Sequence, residues 1–316
     1  MKKSLAILIT YYNEKELLGE CLNSLAVQQV LPDEVWIYDD CARFPAVDYL
    51  PENLPFQVEI LRSEVNRKPA YGRNLLMQKT TCEYVHCHDS DDLFEPHYGE
   101  KIRAFIEGSS PDVILHETRI VRDGVTTSTS NFFGETKVRD LQHLISLSIG
   151  GAVLPANITY KRELALQVGG YLLADVLPQS EDYEFHVRLL NAAKSFEVSY
   201  EPLTVQRVRS DSHSSTNQDK VYISGYSAIE ILAHTLPDVF REDLGERAAY
   251  FGMTLYRMGQ RQHAKNAFSL AKRLGATHKN RNSLHRHLSL LMGQEVAEAF
   301  SLRLQKMKAA FGRAAS

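Results

Sequence analysis

From Tyr84 to Asp92 the chain reads Tyr-Val-His-Cys-His-Asp-Ser-Asp-Asp, a short β-prone run that ends in three carboxylates within four residues. A strand that runs into Asp-x-Asp sets its acids at a strand-to-loop corner, on the edge of a sheet. Carboxylates this close repel each other, and a cation relieves the repulsion. Hard divalent ions take one or two carboxylates and keep positions for phosphate oxygens. The stretch therefore reads in two ways. It is a metal–diphosphate site, or a solvated acidic turn in which Asp91 or Asp92 caps a helix over residues 94–107.

The segments before it favour a built site. Residues 4–12 form a continuous apolar run with β-branched members, the pattern of a strand buried on both faces of a parallel sheet. A helix follows, with Leu17, Leu18, Cys21, Leu22 and Leu25 at helical spacing. Residues 34–38 read as a second strand, which again ends in acids, Asp39 and Asp40. Residues 57–61 read as a third, and residues 70–79 as a short helix carrying Arg73 and Asn74. Repeated βαβ units argue for a doubly wound α/β sheet, in which ligands bind outside the carboxyl ends of strands. Thr10, Asp39, Asp40, Asp89 and Asp91 all fall at such ends, on three separate strands. The first strand is followed by neither Gly-x-Gly-x-x-Gly nor Gly-x-x-x-x-Gly-Lys-Ser/Thr, which disfavours NAD-type and phosphate-loop sites. A nucleotide bound here needs a metal for its phosphates rather than a glycine loop.

Taken together, Ile9-Thr10-Tyr11-Tyr12-Asn13-Glu14, Ile37-Tyr38-Asp39-Asp40, Gly72-Arg73-Asn74 and His88-Asp89-Ser90-Asp91-Asp92-Leu93-Phe94 resemble the family 2 glycosyltransferases of bacterial type. The resemblance implies a GT-A fold, a Rossmann-like and mostly parallel sheet flanked by helices. It also implies a nucleotide-sugar donor, most simply a UDP-sugar, with Mg²⁺ or Mn²⁺ as cofactor and inversion at the anomeric carbon. Carried over by position, Thr10, Tyr12, Asn13, Glu14 and Asp40 fall on the nucleotide, with Arg73 near it and Asp89 by the ribose. Asp91, with Asp89, is the implied metal ligand. The family usually continues Asp-Asp-Gly-Ser-x-Asp after the second strand, whereas this chain reads Asp39-Asp40-Cys41-Ala42-Arg43, so base contacts beyond Asp40 are not implied.

The later segments extend the resemblance. Residues 112–116 and 119–122 read as strands, Asp123-Gly124 as a hairpin turn, 126–131 as a polar mobile loop and 138–149 as an amphipathic helix. Asn157 to Arg162 and Val168-Gly169-Gly170-Tyr171 precede Glu181-Asp182. Read alone, Ser180 caps a helix whose first turn favours acids. By the resemblance, Glu181 and Asp182 are the catalytic pair and Asp182 is the general base. Arg209 stands where relatives have a histidine near the metal or diphosphate, and His213 follows four residues later. Either is a candidate phosphate or metal contact.

Beyond residue 216 the pattern is helical only, with candidate helices over 222–236, 240–258, 262–274, 284–292 and 296–311. We therefore expect a catalytic domain over residues 1–215 and a helical region over 216–316 that serves as a lid, an oligomer contact or a membrane or partner contact. Gly252, Leu255, Tyr256, Gly259, Ala264, Phe268 and Ala271 resemble one tetratricopeptide-type helix pair, and a single such pair does not stand alone. The net charge of −3 is uneven, with +9 over residues 241–316 against −12 over residues 1–240. The last segment sets Phe300, Leu304, Met307 and Phe311 against Arg303, Lys306, Lys308 and Arg313, a pattern that suits a membrane surface or a partner.

Four irregularly spaced cysteines without a Cys-x-x-Cys pair, no 18-residue apolar run and no signal pattern at the N-terminus point to a cytoplasmic protein, with contact at the inner face of the plasma membrane through the tail. The expected partners are the nucleotide-sugar donor and a glycan or lipid-linked acceptor, and no nucleic acid. Two other readings stay open. One is a nucleotidyltransferase on a similar fold, although Asn13-Glu14-Lys15-Glu16 is not the glycine-rich basic loop such enzymes carry. The other is a non-catalytic scaffold that uses the helical tail.

Overall fold

The computed structural model describes residues 3–129, 133, 137–209, 217–277, 293–294, 296–299 and 301–302. The chain divides into two compact units, residues 1–216 and 217–316.

The first unit is built on β1 (Leu5–Tyr11), whose apolar run is buried along almost its whole length. Ile7, Leu8 and Ile9 are fully buried, and each such side chain contributes about 1.5–3 kcal/mol. After β1 the chain forms α1 (Glu16–Ala26), β2 (Glu34–Asp39), β3 (Val58–Arg62), α2 (Lys68–Lys79) and β4 (Tyr84–Asp89). The two-residue strand β5 (Leu93–Phe94) and α3 (Tyr98–Gly108) come next. They are followed by β6 (Val113–Arg122), β7 (Val125–Thr129), α4 (Leu141–Ile149), β8 (Ile158–Lys161), α5 (Arg162–Gln167), α6 (Glu181–Ala192) and β9 (Phe196–Val208).

These strands form one sheet in the order β3-β2-β1-β4-β8-β6-β9-β5, with β7 paired to β6. The strands β3, β2, β1 and β4 are mutually parallel. β8 is antiparallel to both its neighbours, whereas β6 and β9 are parallel to each other. The chain steps outward from β1 to β2 and β3, then returns to place β4 on the other side of β1. That reversal is the switch point where an open α/β sheet binds its ligands. The register puts Thr10 opposite Asp89 and Tyr11 opposite Asp39, so the acids of β2 and β4 share one edge on either side of β1.

Helix α1 buries Leu18, Cys21, Leu22 and Leu25 against this sheet, the face its spacing predicts. Helix α2 buries Ala70, Gly72, Arg73, Leu76 and Met77, an inward stripe that contains a charge. Gly72 is needed there, because a Cβ would lie 2.3 Å from the Tyr38 ring.

Several local expectations change. Asp92 does not cap a helix: its carboxylate accepts the Arg207 backbone N–H at 2.8 Å. Leu93 and Phe94 pair with β9, so α3 begins only at Tyr98. Ser180 sits at φ 62° and its side chain makes no capping bond to α6. The two strands expected over 112–122 are one continuous strand, β6, because its whole length pairs with β9 through two register shifts. The polar stretch after Gly124 is the exposed strand β7, zipped to β6 as the other arm of the Asp123-Gly124 hairpin. The helix expected over 138–149 starts at Leu141, where Asp140 accepts the His143 N–H.

The second unit contains α7 (Gln218–Thr235), α8 (Arg241–Arg257) and α9 (Arg261–Arg273). α8 and α9 pack closely at Gly252, where a Cβ would come within 2.6 Å of the Phe268 ring. Further along, Ala297 and Glu298 are buried, and Glu298 accepts from Arg257 at 2.6 Å. The helix expected over 284–292 and the residues Phe300, Arg303, Leu304, Lys306, Met307, Lys308, Phe311 and Arg313 lie outside the described residues. Among the described residues no helix is long and apolar enough to cross a membrane.

Candidate active site

The carboxyl ends of β1, β2 and β4 and the first turn of α6 supply the acids expected from the sequence. Thr10 donates through its hydroxyl to Asp89 at 3.4 Å. Glu14 accepts from the Ser90 hydroxyl at 3.0 Å and from the Tyr12 N–H, tying the loop after β1 to the loop after β4. Asn13 adopts φ 68° and accepts the Phe44 N–H at 3.2 Å. Tyr12 is 49% exposed, so its ring is available to a ligand over this edge.

The two acids after β2 act on the backbone. Asp39 is buried and accepts from Ala42 N–H, Ala46 N–H and the Arg62 guanidinium at 2.9, 3.0 and 2.7 Å. Asp40 accepts the Arg67 and Lys68 N–H groups at 2.6 and 2.8 Å, holding the turn that starts α2. A carboxylate offers about four acceptor positions, so Asp40 retains capacity for a further donor.

Arg73 connects the β4 end to α6. One terminal nitrogen donates to Asp89 at 2.8 Å and the other to Glu181 at 2.9 Å. Its side chain is 5% exposed, whereas that of Asp89 is 40% exposed and so remains open to a ligand. The neighbouring Asn74 reads the backbone of Tyr171, donating to its carbonyl and accepting its N–H, both at 2.8 Å. The Gly72-Arg73-Asn74 and Gly169-Gly170-Tyr171 motifs are thus in direct contact. Arg188 fixes the same corner from α6: it pairs with Glu184 at 2.7 Å and donates to the carbonyls of Val168 and Gly170.

Electrostatics mark the same residues. Burial, then the charge of Asp182, raises the Glu181 carboxyl to about 7 against the opposing pull of Arg73. Burial also raises Asp182, and Arg73 again opposes the shift. Burial and then the charge of Asp89 raise Asp91, while Arg209 and Arg207 counteract them. Asp92 is pushed well above its usual range by burial, Asp91 and Asp89. Carboxylates held this way carry negative charge that a divalent cation would relieve. Among the described residues no group of three or more His, Cys, Asp and Glu side chains is arranged to hold a metal. Asp89 is 40% exposed at the end of β4, and a hard divalent ion takes one or two such carboxylates and completes its shell with phosphate and water.

Arg207 is a further site residue, beyond those the motifs name. It donates to the Asp91 carbonyl, pairs with Glu20 and reaches the Leu17 carbonyl at 3.3 Å, so it clamps the acidic loop onto α1. The spacing of Arg207 and Arg209, two apart at a strand end, is the signal that could have found it. His213 lies outside the described residues.

A partly parallel sheet flanked by helices, with an acidic edge at its switch point, is the architecture of the GT-A glycosyltransferase fold. Residues 6–162 match the model of glycosyl transferase family 2, and this part of the chain belongs to that family. An uncharacterized glycosyltransferase of Haemophilus influenzae is 30% identical over 190 residues, 59% of this chain and 62% of that relative. The chain therefore matches less than two thirds of that relative's length. An uncharacterized glycosyltransferase of Bacillus subtilis, YwdF, is 26% identical over 200 residues, 63% of this chain and 71% of the relative. Among solved structures, S. aureus TarS in complex with UDP-GlcNAc superposes with a TM-score of 0.70 at 20% identity, covering 95% of this chain and 92% of that one. The mannosyltransferase PcManGT from Pyrobaculum calidifontis, in complex with GDP-Man and Mn²⁺, does so with a TM-score of 0.59 at 16% identity, covering 95% and 87%. At these identities the likeness establishes the fold.

Proposed function

We propose that the chain is an inverting, metal-dependent glycosyltransferase. It moves a sugar from a nucleoside-diphosphate donor, a UDP-sugar, to a hydroxyl of a glycan or lipid-linked acceptor. The observation that carries this reading is the Arg73 bridge, which brings the acidic end of β4 and the first turn of α6 into one site. Family membership and the nucleotide-sugars carried by the two fold neighbours support it.

On this reading Tyr12, Asp40 and the loop at Asn13 and Glu14 face the nucleoside, and Asp89 faces the ribose. Asp182 accepts the proton of the acceptor hydroxyl, whose oxygen attacks the anomeric carbon opposite the leaving diphosphate. The new C–O bond forms as the old one breaks, so one displacement inverts the centre and no enzyme nucleophile is needed. Asp89 and Asp91 would hold the divalent cation, which when bound would supply the positive charge that a departing diphosphate requires. Arg209 adds charge beside Asp91. The catalytic part is residues 1–215, and the helical region serves as an appendage that meets the acceptor's surroundings. The basic tail suits work at the inner face of a membrane.

Calorimetric titration with UDP and GDP, each with and without MnCl₂, tests the donor side. Binding of UDP that needs Mn²⁺ and is lost in Asp91→Ala is expected. Equal UDP affinity in chelator and in Mn²⁺ would remove the metal from the proposal.

A further inference from the structure

Helix α2 turns one charged side chain, Arg73, into the stripe it buries with Ala70, Leu76 and Met77. A buried guanidinium is tolerated only where its donors are met by acceptors. Here each terminal nitrogen meets one carboxylate, and the two carboxylates belong to elements far apart in the chain, β4 and α6. The face of the guanidinium is covered by the Tyr171 ring, 5.3 Å from its central carbon. The backbone of Tyr171 is held in turn by Asn74, the next residue of α2. A planar fork satisfied at both tips fixes distance and angle between its partners, which a flexible ammonium cannot do. Each tip donates to protein, Nε has no partner among the described residues, and the side chain is only 5% exposed, which leaves little of it open to a nucleotide.

We propose that Arg73 is a positioning residue: it ties the donor-side acid Asp89 to the turn of α6 that carries Asp182, and it touches no substrate itself. Loading the donor edge of β4 then steadies the acceptor-side turn through one side chain. The catalytic consequence rests on the reading of Asp182 as base, but the link itself does not.

Hydrogen exchange on the full chain separates the two. In the ligand-free protein, Arg73→Met should speed exchange in peptides covering both 84–90 and 181–187, whereas Glu181→Gln should do so only in 181–187. With UDP and Mn²⁺, the wild type should gain protection over 181–187, and Arg73→Met should lose that gain while its UDP affinity stays within about threefold. Arg73→Lys keeps the charge without the fork and should behave like Arg73→Met. Should Arg73→Met not fold, Arg73→Lys and Glu181→Gln carry the same comparison. Unchanged exchange over 181–187 in Arg73→Lys and Glu181→Gln overturns the link. A fall in UDP affinity of about tenfold or more in the Arg73 variants makes the residue a nucleotide contact and also overturns it. If the ligand-free changes appear but the wild type binds no UDP, the link stands and the donor reading fails.

Discussion

On the proposed reading, Asp182 is where a single side chain decides the chemistry. It lies in the first turn of α6, where acids are common for reasons of helix stability alone. Burial holds its carboxyl above the ordinary 3.8, so as pH falls it takes up its proton earlier than a free aspartate does. Turnover should therefore fall on the acid side with an apparent pKa above 3.8, the limb moving with the proton that disables the base. Asp182→Asn should lower turnover about 10²–10⁴-fold while leaving nucleotide affinity near that of the wild type. Steady-state rates across pH, with a parallel UDP titration, measure both. Normal turnover in Asp182→Asn would make the residue a helix-start acid and nothing more.

At the scale of elements, α2 is the part that joins the two acidic ends, and it does so by lying very close to β2. The contact is made at Gly72, where a Cβ would come 2.3 Å from the buried Tyr38 ring. Gly72→Ala should therefore lower stability despite adding helix propensity. Overpacking costs about 1–3 kcal/mol, against a gain of about 1 kcal/mol for alanine over glycine within a helix. Gly108, at the end of α3, has nothing within 4 Å of its added Cβ, so Gly108→Ala should be neutral or slightly stabilising. Urea unfolding of the pair checks the sign. Equal midpoints would mean that α2 has slack against β2. Neither α2 nor its partner residues carry a pattern that shows this contact from sequence, because the helix buries an arginine and spreads polar residues around its axis.

At the scale of the molecule, four histidines among the described residues are fully buried: His86 and His88 on β4, His116 on β6 and His186 on α6. His86 and His88 share a contact of 3.2 Å, and His86 stacks on His116 with ring centroids 6.1 Å apart. Burial lowers His88 and His116 to about 4 and His186 to about 3. Each therefore stays neutral in the folded chain while the unfolded chain gains its proton below about 6.5, so these groups destabilise the fold as pH falls from 6.5 toward 4. Glu181 runs the other way, since its raised pKa lets the folded chain keep a proton between 4.5 and about 7 that the unfolded chain has lost. Comparing wild type with His116→Phe isolates the imidazole contribution. The variant's stability should decline less by about 1.4 kcal/mol per pH unit near pH 5, read from denaturant midpoints. Parallel slopes would show that His116 is not held neutral.

The charge asymmetry belongs to the same scale. Residues 241–316 carry +9 and residues 1–240 carry −12. Anionic membrane surfaces attract basic segments by about 1 kcal/mol per residue. Deleting residues 303–316 removes Arg303, Lys306, Lys308 and Arg313 yet spares the buried Glu298 that pairs with Arg257. We expect weak, salt-sensitive co-sedimentation with phosphatidylserine vesicles that this deletion abolishes. Binding that survives it unchanged would rule the tail out as the anchor.

The sequence by itself determined the sheet's central strands and the acids at their carboxyl ends. An uninterrupted apolar run such as residues 5–9 has no other way to be satisfied than burial on both faces, and the strands beside it, β2 and β4, run into carboxylates at Asp39-Asp40 and Asp89. It also determined the helical character of residues 218–273, through spacing that repeats over several turns. Only the tertiary structure decided which acids serve the backbone and which remain open. Asp39 and Asp40 read alike in sequence, yet Asp39 is enclosed by the loop after β2 while Asp40 grips the start of α2. It alone decided that Asp92 meets Arg207 rather than a helix start, and that Arg73 spans Asp89 and Glu181. Two of these pairings, Asp92 with Arg207 and Arg73 with Glu181, join residues 115 and 108 positions apart, and periodicity and propensity act over a few turns. Only the sheet order, with β8 folded in between β4 and β6, brings those partners within hydrogen-bonding distance.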